Sequence, residues 1–407
     1  MTHDISGRSR PMLFSGWRRP SLPSFRDGLV CLSFIAGSAV VGAIAWSGEV
    51  LALPAAVLFP TLWAFAPNRL VAGLVALAYF LAASRGLPVG VSIFYASDMW
   101  VGLGLWLTAS VLFVLVHSLI WTSKSGWHKP LRYALAWILM SVPPFGITGW
   151  ANPITAAGVL FQGLGWFGLI AMAHTLSAMT TRVWPIVALI VGAFVALSAR
   201  GWSEPGPPEG WIGIDTHFNY ASPGQHADYA QHLATLALVQ DAAKAGVKNI
   251  VLPESAFGIW TPTTEHLWVR ALQDLDVTVN GGAILISAEG YDNVMIEVSG
   301  KGAQILYRER MPVPVSMWQP WTSGGATAHV FGNTAGRFAG TLIAPLICYE
   351  QLLLWPILQS MFYEPSVIVA TGNGWWTGDT NIVAIQKAAA RAWASLFGVP
   401  LVIAFNT

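Results

Sequence analysis

The run Leu342-Ile343-Ala344-Pro345-Leu346-Ile347-Cys348-Tyr349-Glu350 determines how the distal half of this chain is read. Its apolar residues predict a buried strand, and a cysteine follows where that strand ends. Upstream, Ile250-Val251-Leu252-Pro253-Glu254 predicts a second buried strand that ends in a carboxylate. A thiol and a carboxylate at two strand ends suggest nucleophilic acyl-transfer chemistry.

Composition separates the chain into an apolar first half and a more polar second half. Of its 407 residues, 54% are hydrophobic and only 10% are charged, whereas soluble domains carry about 25% charged residues. Charges are sparse between 28 and 199, and from Gly201 onward the composition is that of a soluble α/β domain. The net charge of +1 argues against direct nucleic-acid binding, which usually needs a basic surface.

Apolar segments predict a membrane domain at residues 28–199 with about seven transmembrane helices, within a range of six to eight. The segments are 28–47, 50–66, 70–84, 99–121, 131–147, 154–178 and 183–199. The basic tail 1–27 favours a cytoplasmic N-terminus. Seven spans then place Lys124, Lys129 and Arg132 in the cytoplasm and the distal domain outside it.

The Pro/Gly-rich stretch 200–210 predicts a linker, because it cannot continue a helix. Residues 211–407 then alternate strands and helices, which predicts an α/β domain with a sandwich pattern. Cys31 lies in the first apolar segment, far from Cys348, so no disulfide is expected. No metal site and no cofactor are predicted, because the histidines lack metal-binding spacing.

Ordered blocks of the distal half resemble the nitrilase superfamily. They are Pro253-Glu254-Ser255, Tyr307 through Pro314, Ile347-Cys348-Tyr349-Glu350 and Gly372-Asn373-Gly374-Trp375-Trp376. The match is closest to the apolipoprotein N-acyltransferase branch, in which membrane helices precede a periplasmic nitrilase domain. The run from Arg310 to Trp321 is also similar to acyltransferase-like relatives encoded on conjugative plasmids. This resemblance implies an α-β-β-α sandwich on a multi-pass protein of the bacterial inner membrane, with a C-terminally short domain at 211–407.

The resemblance also implies a mechanism and partners. Cys348 maps to the nucleophile that forms a thioester, and Glu254 maps to the base. A membrane lipid would donate the acyl chain, and an amine of a protein or peptide would accept it. The relatives on conjugative plasmids imply the conjugation machinery as a further partner. Tyr349, Glu350, Asn373 and Trp375 fall in blocks that would shape the substrate site.

One position departs from the family pattern, which has a lysine two residues after the tyrosine that matches Tyr307. Ungapped counting places Glu309 there, flanked by Arg308 and Arg310. On a regular strand both arginines point away from the face of residue 309. A one-residue irregularity would bring Arg310 in as the oxyanion donor. A charged Glu309 would instead disfavour both the thiolate and the oxyanion.

Other roles stay open at this point. Glu350 either orients the loop of the nucleophile or forms a structural ion pair, for example with Arg391. Trp375 either packs in the core or contacts an acyl chain. Two functions follow: a membrane-anchored acyltransferase or amidase that works through Cys348 and Glu254, or a catalytically impaired scaffold or accessory factor of conjugation.

Overall fold

The computed structural model describes residues 25–218, 225–332 and 334–407. Its first half is helical, with short 3₁₀ segments between the helices. The helices are α1 (Phe25–Ala45), α2 (Phe59–Ala64), α3 (Arg69–Ala83), α4 (Leu87–Phe94), α5 (Met99–Ile120), α6 (His128–Leu139), α7 (Ala157–Leu160), α8 (Gly165–Met179) and α9 (Trp184–Gly201).

Fewer helices reach spanning length than the apolar segments predicted. Among the described residues, α1, α5 and α9 are long and apolar enough to cross a bilayer, and α3 with α4 makes a fourth candidate bent by 55°. The segment 50–66 forms one shorter apolar helix, Val50–Ala64, whose first part, Val50–Leu58, is a 3₁₀ helix that contains Pro54. The segment 154–178 breaks near Gly163, which has a positive φ of 72°.

Hydrogen bonds join the helical half to the distal half and its own segments to each other. Asn381 of the distal half donates to Trp46 O after α1, and the Tyr349 hydroxyl donates to Ile147 O after α6. Within the helical half, Lys129 Nζ donates to Ala64 O at the end of α2.

The distal half contains two β-sheets. The five-stranded sheet has the order β1-β2-β3-β4-β5 and the four-stranded sheet has the order β6-β7-β8-β9. Strands β1 to β3 are parallel, and so are β7 to β9. The strands are β1 (Trp211–Gly213), β2 (Asn249–Val251), β3 (Thr278–Ile286), β4 (Tyr291–Ser299), β5 (Gly302–Arg308), β6 (Gly336–Phe338), β7 (Thr341–Ile347), β8 (Val367–Asn373) and β9 (Leu401–Asn406).

Three apolar clusters hold the sheets and helices together. Side chains of both sheets share one cluster, in which Val251 and Met295 meet Ile347 and Val369. The other face of the five-stranded sheet packs on α10 (Gln225–Lys244) and α11 (Pro262–Ala271). The other face of the four-stranded sheet shares a continuous core with α12 (Leu354–Met361), α13 (Ile382–Phe397) and the membrane-type helices. The carboxyl ends of β2, β7 and β8 carry the candidate site.

Candidate active site

Cys348 lies on a sharp turn directly after β7. Its φ is +46°, a region that residues other than glycine rarely adopt, and such strain is concentrated at functional sites. The thiol is buried, and Gln386 Nε2 of α13 donates to its Sγ at 3.4 Å. Burial raises the pKa of the thiol well above its ordinary value, and the charges of Glu254 and Glu309 raise it further. The resting group is therefore a thiol that needs a base.

Glu254 follows β2 and is hydrogen-bonded to the Cys348 side chain and to the backbone of Asn373. Burial raises its pKa to about 7, although hydrogen bonds from Asn293, Cys348 and Asn373 oppose this shift. A base with a pKa near neutral can accept and return a proton at physiological pH. Gly282 allows this placement, because a Cβ atom there would lie 2.5 Å from Glu254 Cα.

A third acidic side chain lies beside the predicted pair. Glu309 follows β5 and is fully buried. Asn293 Nδ2 of β4 donates to Glu254 Oε1 at 2.7 Å and to Glu309 Oε2 at 2.9 Å. Burial raises the pKa of Glu309 well above its ordinary value, and the charges of Glu254 and Glu350 raise it further. The position that the family pattern gives to lysine therefore faces the reacting pair.

Glu350 fixes the turn that carries the nucleophile. Its Oε2 accepts from the backbone N–H of Ile347 at 2.9 Å. Its Oε1 accepts from the Tyr307 hydroxyl at 2.6 Å and from the backbone N–H of Arg310 at 2.8 Å. Of the two roles left open, the structure supports the orientation of the loop. The ion pair is made with Arg310, whereas Arg391 pairs with Glu204.

Arg310 does not occupy the place expected for the oxyanion donor. Its Nε donates to the Tyr307 hydroxyl at 2.7 Å, Nη1 to Pro356 O at 3.0 Å and Nη2 to Ser360 Oγ at 2.9 Å. These bonds engage the buried guanidinium away from the cavity wall described below. The ladder between β4 and β5 does contain a register irregularity between Met295 and Ile296, but this irregularity does not bring Arg310 to Cys348. The expectation that Arg310 replaces the lysine is therefore corrected: Arg310 positions Glu350.

An apolar cavity of about 410 Å³ opens onto Cys348 and Glu254. Side chains of the helical half form one wall, including Phe80, Val91 and Leu105. The distal half contributes the opposite wall, with Tyr349, Asn373, Trp375, Trp376 and the run 313–317.

The remaining predicted residues connect the two halves at this cavity. The Tyr349 hydroxyl donates to Ile147 O at 2.8 Å, and the rings of Trp375 and Phe94 stack at 6.1 Å. Asn373 Oδ1 accepts from Asn406 Nδ2 at 3.0 Å. Trp375 therefore both packs against Phe94 and forms part of the cavity wall. In the part of the chain that the structure describes, no group of three or more His, Cys, Asp or Glu side chains is placed to hold a metal ion.

Sequence reasoning missed two members of the site. Asn293 bridges the two carboxylates and Gln386 contacts the thiol. The signal available for Asn293 was a polar residue directly before the apolar run Val294-Met295-Ile296 of β4. Nothing in the sequence around Gln386 indicated a contact with Cys348.

Comparison with known proteins shows the family to which this chain belongs. The family model "Carbon-nitrogen hydrolase" matches residues 81–204 and 262–395, which together exceed half of the chain. The chain is 54% identical to the conjugal transfer protein TraB of Agrobacterium fabrum, over 100% of both chains. It is 53% identical to a probable conjugal transfer protein TraB of Sinorhizobium fredii, over 94% of this chain and 100% of that one.

Among solved structures, an amidase of the nitrilase superfamily from Nesterenkonia AN1 aligns with 48% of this chain and 74% of its own, at 10% identity and a TM-score of 0.36. The match of the family model and the two long relatives carry the assignment. The chain therefore belongs to the carbon-nitrogen hydrolase family of the nitrilase superfamily, in the group that includes these two TraB proteins.

Proposed function

We propose that this protein is a membrane-anchored acyltransferase of conjugal plasmid transfer, which moves an acyl chain through a thioester on Cys348. The names of the two long relatives support the conjugal role. The donor is a membrane lipid, and the acceptor is an amine of a protein or peptide. Two sheets that share one apolar cluster support the α-β-β-α sandwich on which this chemistry is built.

One observation carries the proposal: the cavity at Cys348 is walled by apolar side chains of the membrane-type helices. An amidase for small polar substrates has no use for such a wall. An acyl chain, in contrast, gains about 0.8 kcal/mol for each methylene group that it buries. The cavity therefore suits a lipid chain whose carbonyl carbon stops at the thiol.

The proposed first step uses the hydrogen bond between Cys348 and Glu254. Glu254 takes the thiol proton while sulfur attacks the carbonyl carbon, and the carbonyl π electrons move to oxygen. When the tetrahedral intermediate collapses, the ester C–O bond breaks and the leaving alcohol takes the proton from Glu254. In the second step the amine nitrogen attacks the thioester carbonyl carbon and Glu254 takes a proton from that nitrogen. The C–S bond then breaks as the amide forms, and the released thiolate takes the proton from Glu254.

The membrane placement is part of the same proposal. Helix α9 has no buried residue of its own, and α1 and α5 are also largely exposed although they are apolar. Such surfaces are stable against lipid rather than water. The seven apolar segments of the sequence and the basic residues between them support about seven crossings and a periplasmic distal domain. A periplasm-active reporter fused after Thr407 is expected to be active, and an inactive fusion would refute this orientation.

The chemistry is tested with labelled phospholipid in membranes that contain the protein. We expect a labelled adduct that hydroxylamine removes and that Cys348→Ala abolishes at unchanged protein level. Glu204→Gln serves as a matched control, because Glu204 is exposed and remote from the cavity wall. Absence of any adduct, alongside a labelled N-acyltransferase run in parallel, would refute acyl transfer.

The second candidate function is a catalytically impaired scaffold or accessory factor of conjugation. The observation that favours it is Glu309 at the position of the family lysine, within the same hydrogen-bonded group as Glu254. The two functions differ in one phenotype. If Cys348→Ala abolishes plasmid transfer while the protein stays abundant and inserted in the membrane, the scaffold function is excluded.

A further inference from the structure

Glu309 is a buried carboxyl group with an unusual set of neighbours. Its Oε2 accepts from Asn293 Nδ2 at 2.9 Å, and within the described part of the chain its Oε1 has no hydrogen-bond partner. A buried carboxylate oxygen without a donor costs free energy, because it has lost water and gained nothing. Protonation removes the negative charge of Glu309 and gives its side chain an O–H group that can donate a hydrogen bond.

The groups that face Glu309 leave it without a counter-ion. Glu254, Glu350 and Tyr291 interact with it electrostatically, as does the thiol of Cys348. The charges of Glu254 and Glu350 oppose a negative charge on Glu309, whereas Tyr291 and the Cys348 thiol are neutral and supply no positive charge.

The nearby cations are engaged elsewhere. Arg308 pairs with Asp292, and Arg310 pairs with Glu350. The ring of His329 also contacts Asp292, and only its backbone N–H reaches Glu309 O, at 3.4 Å. Among the described residues, therefore, no cation neutralises Glu309.

Glu254 holds negative charge more easily than Glu309 does, because it is less completely buried. Asn293 donates to one oxygen of each carboxyl group, and the second oxygens, Glu254 Oε2 and Glu309 Oε1, are both buried without a well-formed hydrogen bond. Glu254 is 5% exposed and lines the cavity, whereas Glu309 is 0% exposed. Two carboxyl groups on one amide cannot both ionise in a buried site, so they hold one proton between them. That proton resides on the more deeply buried side chain, Glu309.

We propose that Glu309 is protonated in the resting protein and donates a hydrogen bond to the oxyanion, in the place where the family pattern has a lysine. This inference rests on the proposed acyl transfer. As the carbonyl π electrons move to oxygen, the O–H of Glu309 bonds that oxygen without giving up its proton. Glu254 accepts the thiol proton in the same step, so one carboxyl group donates and the other accepts. A buried neutral acid can act in this way because its donor is fixed before charge develops.

The first test compares three substitutions at position 309 by the initial rate of adduct formation on Cys348 from labelled phospholipid. Glu309→Gln retains an N–H donor at similar size and is expected to stay within about tenfold of the parent rate. Glu309→Leu removes the donor and is expected to lose about 10²–10³-fold. Glu309→Lys restores the family residue and is expected to remain active. Glu289→Gln, on the exposed turn between β3 and β4, is the matched control and is expected to react at the parent rate.

The pH profile separates a donor from a packing residue. The parent rate is expected to rise as Glu254 loses its proton and to fall at higher pH as Glu309 ionises. Glu309→Gln is expected to keep the rising limb and to lose the falling limb. A Leu variant at the parent rate, or a Gln variant with an unchanged falling limb, would overturn the role of Glu309 while leaving acyl transfer intact.

A second measurement does not depend on activity. The infrared spectrum of the protein at pH about 9, where Glu254 with its pKa of about 7 is ionised, is expected to contain a protonated carboxyl band that disappears in Glu309→Gln and persists in Glu289→Gln and Cys348→Ala. If the parent spectrum has no such band, or if the band survives in Glu309→Gln, Glu309 is not the protonated group. If the band is assigned to Glu309 but no adduct forms at any pH, the proposed function fails and the donor role fails with it.

Discussion

Replacing Glu350 by glutamine is expected to destabilise the protein strongly, because this side chain anchors the turn of the nucleophile. Both members of its ion pair with Arg310 are fully buried, at an Nε–Oε1 distance of 3.6 Å. Three backbone N–H groups, of Ile347, Arg310 and Met311, also point at the carboxylate. Glu350→Gln leaves the guanidinium buried without its charge partner and turns an amide NH₂ group toward donors.

The size of the effect follows from that burial. Breaking a buried ion pair by removing one partner costs about 3–5 kcal/mol. A domain of about 200 residues loses about 2–4 °C of Tm for each kcal/mol, so the expected decrease in Tm is about 6–20 °C. The matched control is Glu204→Gln, whose pair with Arg391 lies at 3.5 Å with the Glu204 side chain 62% exposed. An exposed pair of this kind contributes about 0–1 kcal/mol.

The assay is thermal unfolding of the purified protein in detergent, followed by tryptophan fluorescence. Parent, Glu350→Gln and Glu204→Gln are compared at the same detergent and protein concentrations. If Glu350→Gln melts within the range of the control, Glu350 does not carry the turn, and the account of the buried network is wrong.

Three further predictions concern the site itself and use the rate of adduct formation on Cys348. The rate should rise through pH about 7, where Glu254 loses its proton. Asn293→Leu should move this rise to higher pH, because the Asn293 amide lowers the pKa of Glu254. An unchanged pH profile would contradict the hydrogen bond from Asn293 to Glu254. Gly282→Ala should lower the rate at least tenfold, since its Cβ would lie 2.5 Å from Glu254 Cα, and a parent rate would show that the backbone yields freely. Leu105→Trp fills the cavity and should lower the rate of adduct formation more with long acyl donors than with short ones. Leu107→Trp, on the exposed side of α5, should not have this effect. Equal effects of the two variants would argue against the cavity as the binding site of the acyl chain.

Local patterns were sufficient for the main elements of the distal half. The strands predicted before Cys348 and before Glu254 appear as β7 and β2. β6 (Gly336–Phe338) and α12 (Leu354–Met361) were missed. A three-residue strand has no measurable periodicity, and α12 contains Pro356.

The membrane half was harder to predict, because an apolar segment can be buried in protein or can face lipid, and its hydrophobicity does not show where a helix ends. Apolar segments at 50–66 and 154–178 were each read as one span. The first forms only the short helix Val50–Ala64, and the left-handed Gly163 interrupts the second.

The position of the family lysine shows that residue type alone does not determine the protonation state or the contacts of a side chain. Counting along the sequence placed Glu309 at the position of the family lysine, and its side chain was considered in the negatively charged form. Burial and the amide shared with Glu254 give it a proton instead, and that depends on Asn293 in another strand. Arg310 was expected to replace the family lysine, but it lies beyond the end of β5 and its side chain contacts Glu350 and Tyr307.

The central claim is that Cys348 forms an acyl thioester, and the mass of the peptide that contains Cys348 tests it most directly. Protein is isolated from membranes after a short exposure to phospholipid, digested, and compared with and without hydroxylamine. The account predicts a peptide heavier by one acyl group that hydroxylamine returns to the free thiol. A free thiol at every time point, in a sample whose parallel N-acyltransferase is acylated, would contradict it.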